Sequence, residues 1–304
     1  MAIYNFKKQA KVYLVTREAT PKRYTLEVTP ELSFSQTFTD KPTKVKTLHD
    51  QNNFFERGSI KKANPANFEF TIPVFKEGDM QIVHDLALSC DTFDLYISTE
   101  QDVFKLEKAV ITNGTYVIER LKPLSFTVSG QASKLSKVGV ANSYSVPGNA
   151  QSVTENRTYL RVLELDIDLG SEDFSKEVLS LTAELQNDVE WTKNSTVQNG
   201  IESSSAANAV YPAAFTIGKK SFAGSLVRYL CDSNAALAQN FDPNISMRIK
   251  AGERVIGVLY GFDFNMPSVS FTSRVGSEEL FTQSYDWRLT SNSSITSIIN
   301  YINT

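Results

Sequence analysis

The chain has 304 residues, of which 41% are hydrophobic and 21% charged, a balance typical of a folded globular protein. Its formal net charge is −3, which argues against a general nucleic-acid-binding protein. The N-terminal residues lack the apolar run of a secretion signal, and no window approaches the ~20 apolar residues that a membrane helix needs. We therefore expect a protein that is neither exported nor inserted into a membrane.

The sequence pattern of the first half predicts mainly β-strands and one helix. Residues 32–39, 68–75 and 124–130 alternate between apolar and polar side chains or are rich in Phe, Val and Thr, as half-buried strands are. Residues 79–90 predict a helix with Asp79 as its N-cap. The predicted apolar stripe of this helix comprises Ile82, Val83, Leu86 and Cys90.

The second half has the same character. Residues 163–169, 268–275 and 280–289 are predicted strands, and residues 231–241 predict a shorter helix. The C-terminus carries four isoleucines at helical spacing that would equally suit a terminal strand, namely Ile295, Ile298, Ile299 and Ile302. The predicted fold class is therefore mainly β, of the α+β type.

Four short phrases recur in the same order in both halves, 147 to 155 residues apart, which indicates a tandem duplication. The pairs are Lys11-Val12 and Arg161-Val162, Thr29-Pro30-Glu31-Leu32 and Thr182-Ala183-Glu184-Leu185, Pro65-Ala66-Asn67-Phe68 and Pro212-Ala213-Ala214-Phe215, Phe126-Thr127-Val128-Ser129 and Phe281-Thr282-Gln283-Ser284. Residues 138–157 are rich in Gly, Pro, Asn and Ser, as exposed linkers are. We predict domains at 1–137 and 158–304 joined by this linker.

Residues that carry enzyme chemistry are scarce, and we expect neither catalytic activity nor a cofactor or metal. The chain has two histidines, His49 and His84, and both are interpreted as solvated. It contains no phosphate-binding glycine loop, no nucleophile elbow and no Cys-x-x-Cys pair.

One strand is predicted to carry an acidic face. In residues 163–169 the leucines and isoleucine alternate with Glu164, Asp166 and Asp168. These acids could line a lumen and repel a phosphate backbone, or they could form a solvated outer face. Both interpretations remain open at this stage.

Two long polar loops, residues 39–62 and 187–211, are predicted to contact other subunits, since compact domains seldom keep loops of this length. The first loop is basic enough to raise nucleic-acid binding as an alternative, although acids are interspersed. The candidate contact residues are Lys41, Lys44, Lys46, Phe54, Phe55, Arg57, Lys61, Lys62, Trp191, Lys193 and Asn194.

Taken together, the size, the β pattern, the long early loop and the duplicated Phe-Thr-x-Ser strand resemble the tail tube proteins of tailed bacteriophages. The phrases "AAFTIGKKSFAGSLVRYL" and "GSEELFTQSYDWRL" are the most similar to that family. The resemblance implies two tandem tail-tube-like β-sandwich or barrel domains, each with a flanking helix, whose sheets join those of neighbours into a ring-shaped barrel. It also implies a structural virion protein, the major tail tube subunit, made in the host bacterial cytoplasm.

The implied partners are further copies of the chain in stacked rings, and other tail proteins such as the tape measure, terminator, baseplate and sheath. DNA would pass through the lumen without sequence-specific binding. The resembled rings have six domain positions, so a chain with two domains implies a homotrimeric, pseudo-hexameric ring. Residues 1–150 carry 19 basic and 16 acidic side chains and residues 151–304 carry 12 and 18, which favours alternation of the two domains around the ring.

Two alternatives remain at the level of sequence. A baseplate hub or tube initiator would use the same type of domain but cap a stack. More distantly, a carbohydrate- or cell-surface-binding β protein would use Trp191, Trp287 and the tyrosines as stacking platforms.

Overall fold

The computed structural model describes residues 9–43, 58–76, 80–119, 122–151, 158–191, 210–231, 245–277, 280–290 and 294–302. Most of these residues lie in β-strands, so the mainly β fold class predicted from alternation is confirmed. The elements of the first half are β1 (Lys11–Thr16), β2 (Lys22–Leu26), β3 (Ser33–Ser35), β4 (Phe38–Thr43), β5 (Gly58–Ala63), β6 (Ala66–Pro73), β7 (Phe75–Lys76), α1 (Met80–Ser89), β8 (Phe93–Ser98), β9 (Asp102–Ile118), β10 (Ser125–Ala132), β11 (Lys134–Val140) and β12 (Asn149–Ala150).

The second half begins at β13 and ends with a short helix and a strand. Its elements are β13 (Thr158–Tyr159), β14 (Glu164–Leu169), β15 (Glu172–Asp173), β16 (Val178–Trp191), β17 (Phe215–Tyr229), β18 (Ile245–Val255), β19 (Val258–Ser277), β20 (Phe281–Leu289), α2 (Ile295–Ile298) and β21 (Ile299–Ile302).

In each half one long strand belongs to two rows of antiparallel strands. The long strand of the first half, β9, ends the row β3–β6–β10–β9 and also takes part in the row β2–β1–β8–β9–β11. In the second half, β19 does the same in the rows β16–β17–β20–β19 and β15–β14–β18–β19–β21. The order of strand pairing in the second half therefore repeats that of the first.

The two halves share one sheet and one core. Strand β9 pairs antiparallel with β16, from Asn113 opposite Gln186 to Ile118 opposite Leu181. This pairing, called the joint below, links the two four-stranded rows into the eight-stranded row β3–β6–β10–β9–β16–β17–β20–β19. One hydrophobic cluster runs through both halves. At its centre, the Tyr116 ring lies 4.6 to 6.2 Å from four phenylalanine rings of both halves, those of Phe126, Phe222, Phe262 and Phe264.

Helix α1 forms where the apolar stripe predicted it, with Val83 and Leu86 buried and Ile82 half-buried. The prediction that His84 is solvated is wrong, because its side chain is only 1% exposed. A helix covered on more than one side buries residues beside its main stripe. The predicted N-cap Asp79, the other histidine His49 and most of the predicted helix at 231–241 lie outside the described residues.

The C-terminal isoleucines satisfy both predicted alternatives, because the short α2 is followed directly by β21. The predicted linker 138–157 is more structured than its composition indicates. Its start belongs to β11, and Asn149 and Ala150 pair parallel with β2. Val146 is buried against the second row of the first half. Gly, Pro and Ser therefore mark turns between short paired segments here as well as exposed chain.

The repeated phrases differ in how well the strand order supports them. Phe126–Ser129 and Phe281–Ser284 both lie at the start of equivalent strands, β10 and β20. Thr29–Leu32 lies outside any strand, whereas Thr182–Leu185 lies in the middle of β16. That pair of phrases does not occupy equivalent positions in the two halves.

Candidate functional site

The eight-stranded row has one face in the core and an opposite face made mostly of hydroxyl and amide side chains. On β10, for example, the core residues Phe126 and Val128 alternate with Thr127 and Ser129, which are half-buried on the opposite face. The same alternation on the other strands places there Ser33, Ser35, Asn67, Glu69, Thr71, Asn113, Thr115, Thr182, Glu184, Gln186, Ser221, Ser225, Thr282, Ser284, Asp286, Arg288, Thr272 and Arg274. We call this surface the hydroxyl face.

Neighbouring strands are tied across the hydroxyl face by side-chain hydrogen bonds. The hydroxyls of Thr71 and Thr127 lie 2.9 Å apart, and those of Thr182 and Ser225 lie 2.8 Å apart. These four hydroxyls therefore bond partly to each other across neighbouring strands.

The hydroxyl face is continuous over the joint. The amide of Asn113 on β9 donates to the Glu184 carboxylate on β16 over 2.7 Å, and Gln186 donates to the same carboxylate over 3.2 Å. The first and second halves therefore present one surface there.

Charge is sparse on the hydroxyl face. Among the residues named above, the acids are Glu69, Glu184 and Asp286, and the bases are Arg274 and Arg288. Asp188 and Lys219 add one charge of each sign beside Gln186 and Ser221. Such a face neither attracts polyphosphate strongly nor repels it strongly.

The acids that were predicted to line a lumen lie elsewhere, on β14 in the other row of the second half. Ile167 and Leu169 of that strand are buried as predicted, but Leu163 is exposed. Glu164, Asp166 and Asp168 are each half-buried. The strand therefore has the predicted alternation only from its middle onward.

Basic side chains of the neighbouring strand β18 neutralise this acidic face. Arg254 donates two hydrogen bonds to Glu164 over 2.8 and 2.5 Å, and these bonds hold the pKa of that carboxyl below its usual range. Lys250 lies 3.6 Å from Asp166. The strand is part of a mixed-charge surface and not an acidic patch that would act on DNA at a distance.

The joint also carries specific contacts between helix α1 and the second half. The amide nitrogen of Asn187 donates to the carbonyls of Ala87 and Ile111 over 2.9 and 3.1 Å. The Lys220 ammonium donates to the Leu88 carbonyl over 2.5 Å. Two of the last carbonyls of α1 thus receive donors from β16 and β17, and a positive charge lies at the negative end of the helix dipole.

Trp191 is part of the same joint. Although predicted as a loop contact residue, it ends β16, is buried, and packs on Phe215 with ring centroids 5.0 Å apart. Trp287 is also buried. Neither tryptophan is placed to stack on a sugar, so the carbohydrate-binding alternative loses two of its predicted stacking platforms.

The two predicted contact loops are described only in part. Residues 38–43 and 58–63 pair as the hairpin β4–β5, which includes the backbone of Lys41 and Lys61, and Lys62 is half-buried. The second loop begins later than predicted, because β16 extends to Trp191, and Val210 accepts a hydrogen bond from the Ala63 backbone. The remaining candidates lie outside the described residues, namely Lys44, Lys46, Phe54, Phe55, Arg57, Lys193 and Asn194.

The described part of the chain contains neither a metal-binding cluster nor a membrane-spanning helix. No group of three or more His, Cys, Asp or Glu side chains is placed there to hold a metal ion. No helix in that part is long and apolar enough to cross a membrane.

Comparison with known proteins gives a family match. The sequence profile of the Bacteriophage Baseplate Tube Protein Family matches residues 2–304. No curated protein matches the chain. The family is a structural one, which associates with other tail or baseplate proteins in the virion. Since the match spans almost the whole chain, including both halves of the joined sheet, the chain belongs to the bacteriophage baseplate tube protein family.

Proposed function

We propose that the chain builds a ring around the DNA channel of a phage tail, with the hydroxyl face lining that channel. The observation that supports this role is the eight-stranded row, in which two halves with the same strand order are already joined edge to edge. Repeating such a joint between chains would close a β-barrel, and closure removes exposed strand edges. The two halves would then be tandem copies of one tube domain.

In this proposal the channel lets DNA slide because it offers the phosphates neither a basic patch nor a strong field. Hydroxyls that are hydrogen-bonded to each other, such as those of Thr71 and Thr127, make weak and non-specific contacts with a passing duplex. The hydroxyl face replaces Glu164, Asp166 and Asp168 as the proposed lumen, since Glu164 and Asp166 form ion pairs with Arg254 and Lys250 of β18. Asp168 lies opposite Arg248 of the same strand.

Two positions in the tail fit such a ring. A major tail tube subunit would stack ring upon ring, through the loops at 39–62 and 187–211, until the tape measure and terminator stop growth. A baseplate hub or tube initiator would form a short stack that other tube proteins extend. The family description, a baseplate tube, is consistent with either position.

Electron microscopy and native mass spectrometry of the purified protein test both the proposed ring and its position in the tail. Two tube domains per chain predict a ring of three chains, about 102 kDa for a chain of 33.9 kDa, with threefold symmetry. Long tubes would assign the major tube role, and single rings or short stacks the baseplate role. Rings of six chains would contradict the three-chain ring, and a protein that stays monomeric at high concentration would contradict the ring itself.

A further inference from the structure

We infer that neighbouring chains pair the C-terminal end of β19, Thr272–Ser277, antiparallel with residues 32–37 of the next copy. The inference rests on the proposed ring and identifies the two strand edges that meet in it. Its template is the joint within each chain, where the equivalent strand β9 pairs with β16.

The first edge is the outer side of β19. Up to Val269 this strand is paired on one side with β18, and from Val269 to Ser277 it is paired on the other side with β20. Within the described ranges no strand pairs with the outer side of Thr272–Ser277. Aligning the last residues of β9 and β19 places this segment on Asn113–Ile118, the residues that form the joint in the first half. An unpaired edge of six residues is a template for another strand.

Apolar side chains near this edge are uncovered, whereas those in the corresponding part of the first half are buried. Where β9 turns into β10, Ile118 is 2% exposed and Leu124 is fully buried, because the second half covers them. Where β19 turns into β20, Val275, Leu280 and Phe281 are 51%, 60% and 62% exposed. The first half of another copy has the strand order required to cover them.

The second edge is the outer side of β3, the strand at the other end of the eight-stranded row. It pairs with β6 on one side, and among the described residues no strand pairs with its other side. By position in the rows, β3 is the counterpart of β16, which makes the joint.

The register between copies follows from lines of directly paired residues. In the first half Ser33, Glu69, Ser129 and Asn113 form such a line across the row. In the second half the equivalent line is Thr182, Ser225, Asp286 and Thr272. Within the chain Thr182 pairs with Val117. Ser33 is the equivalent of Thr182, and Gly276 is the equivalent of Val117. The same pairing between copies therefore places Ser33 opposite Gly276, Phe34 opposite Val275, and Ser35 opposite Arg274. Phe34, half-buried in its own chain, would cover Val275.

Disulfide trapping in assembled protein tests the register. The variant carries Ser35→Cys and Arg274→Cys, with Cys231→Ser to remove the native thiol that is not buried; Cys90 is buried and stays. The control carries Ser35→Cys and Ser284→Cys, because Ser284 lies opposite Arg274 on β20, one strand spacing (~4.8 Å) further away. After oxidation with copper phenanthroline we expect covalent dimers and trimers from the first pair, about tenfold faster than from the control. Equal rates, or no cross-link in assembled rings, would overturn the inference.

A charge at the uncovered edge provides a second test. We expect Val275→Asp to remain a 33.9 kDa monomer at concentrations where the wild type assembles, because the carboxylate would be buried between copies. Val258→Asp is the matched control: it lies on the same strand, is 44% exposed, and is outside the proposed edge. Both variants should melt as the wild-type monomer does.

The outcomes distinguish a failure of the proposed strand edges from a failure of the proposed ring. If Val275→Asp assembles as well as Val258→Asp, these edges do not meet, and the proposed ring must close through others. If the wild type itself never assembles under any condition tested, the proposed ring fails and this inference fails with it.

Discussion

His84 places a titratable side chain in a part of the core lined by aromatic rings. It lies on α1 among the rings of Tyr116, Phe126 and Tyr301, with centroids 6.0 to 6.2 Å away. Neither ring nitrogen has a hydrogen-bond partner among the described residues. Burial lowers the pKa of His84 to about 4, so the imidazole is neutral at pH 7.

The lowered pKa predicts a loss of stability in mild acid. Between the unfolded pKa of 6.5 and the folded value of about 4, the unfolded chain binds the proton more readily, so the free energy of unfolding falls as pH falls. From pH 7 to pH 5 the expected loss is about 2 kcal/mol. His84→Leu should remove that part of the pH dependence. Denaturant titrations of both proteins at the two pH values measure it, and parallel losses would contradict the assignment.

At the level of elements, the joint depends on a few polar contacts as well as on strand pairing. Asn187 is buried, and its amide is the donor for carbonyls of both α1 and β9. Replacing it would leave these two acceptors without that donor inside the protein, which is costly in a buried site.

We therefore expect Asn187→Leu to lower the free energy of unfolding by about 2 kcal/mol. Gln186→Leu is the matched control, because Gln186 is the adjacent residue of β16 but is exposed on the hydroxyl face. Urea denaturation of the two variants measures the difference. Equal effects would show that the contacts between α1 and β16 do not contribute to the joint.

Sequence patterns predicted the strands far better than their partners. Alternation is a local signal, and it located β6, β10, β19 and β20. Pairing is set by contacts between distant residues, so nothing near Glu164 indicated that Arg254, 90 positions away, would neutralise it. The hydroxyl face was partly readable, since the polar half of each alternating segment is rich in Ser and Thr. The individual segments could not indicate that the polar sides of eight strands join into one continuous face, because strand pairing depends on distant residues.

The tandem organisation illustrates the same limit of local patterns. The Phe-Thr-x-Ser phrases both lie at the start of strands that hold the same place in the two rows, β10 and β20. By strand pairing, however, Ser129 aligns with Asp286 and not with Ser284. The match of Thr29–Leu32 to Thr182–Leu185 compares an irregular segment with a strand. Short apolar and hydroxyl phrases recur wherever strands do, so only their place in the pairing scheme tests whether they are equivalent.

For the whole molecule, the low charge of the hydroxyl face predicts how the assembled protein treats DNA. Ser129→Lys with Ser284→Lys adds two positive charges per chain to this face. We expect assembled rings of this variant to retain double-stranded DNA at low salt and to release it as salt rises, because binding would depend on phosphate contacts.

The matched control adds the same charge elsewhere. Ser143→Lys with Ser297→Lys places both lysines at exposed positions outside the eight-stranded row. Gel retardation of a DNA duplex by both assemblies, over a range of salt concentrations, measures the difference. Equal retention by the two variants would show that the hydroxyl face does not line the channel.

The joint within one chain has a kinetic consequence for assembly. In a ring of six tube domains built from single-domain subunits, every contact must form by collision in solution. Here the contact between β9 and β16 forms within one chain, at an effective concentration that dilution cannot lower. A three-chain ring then needs only two encounters between separate chains, so its formation should depend less steeply on protein concentration than that of a six-subunit ring. A component needed in few copies, at the start of a tail, would benefit most from nucleating reliably when it is scarce.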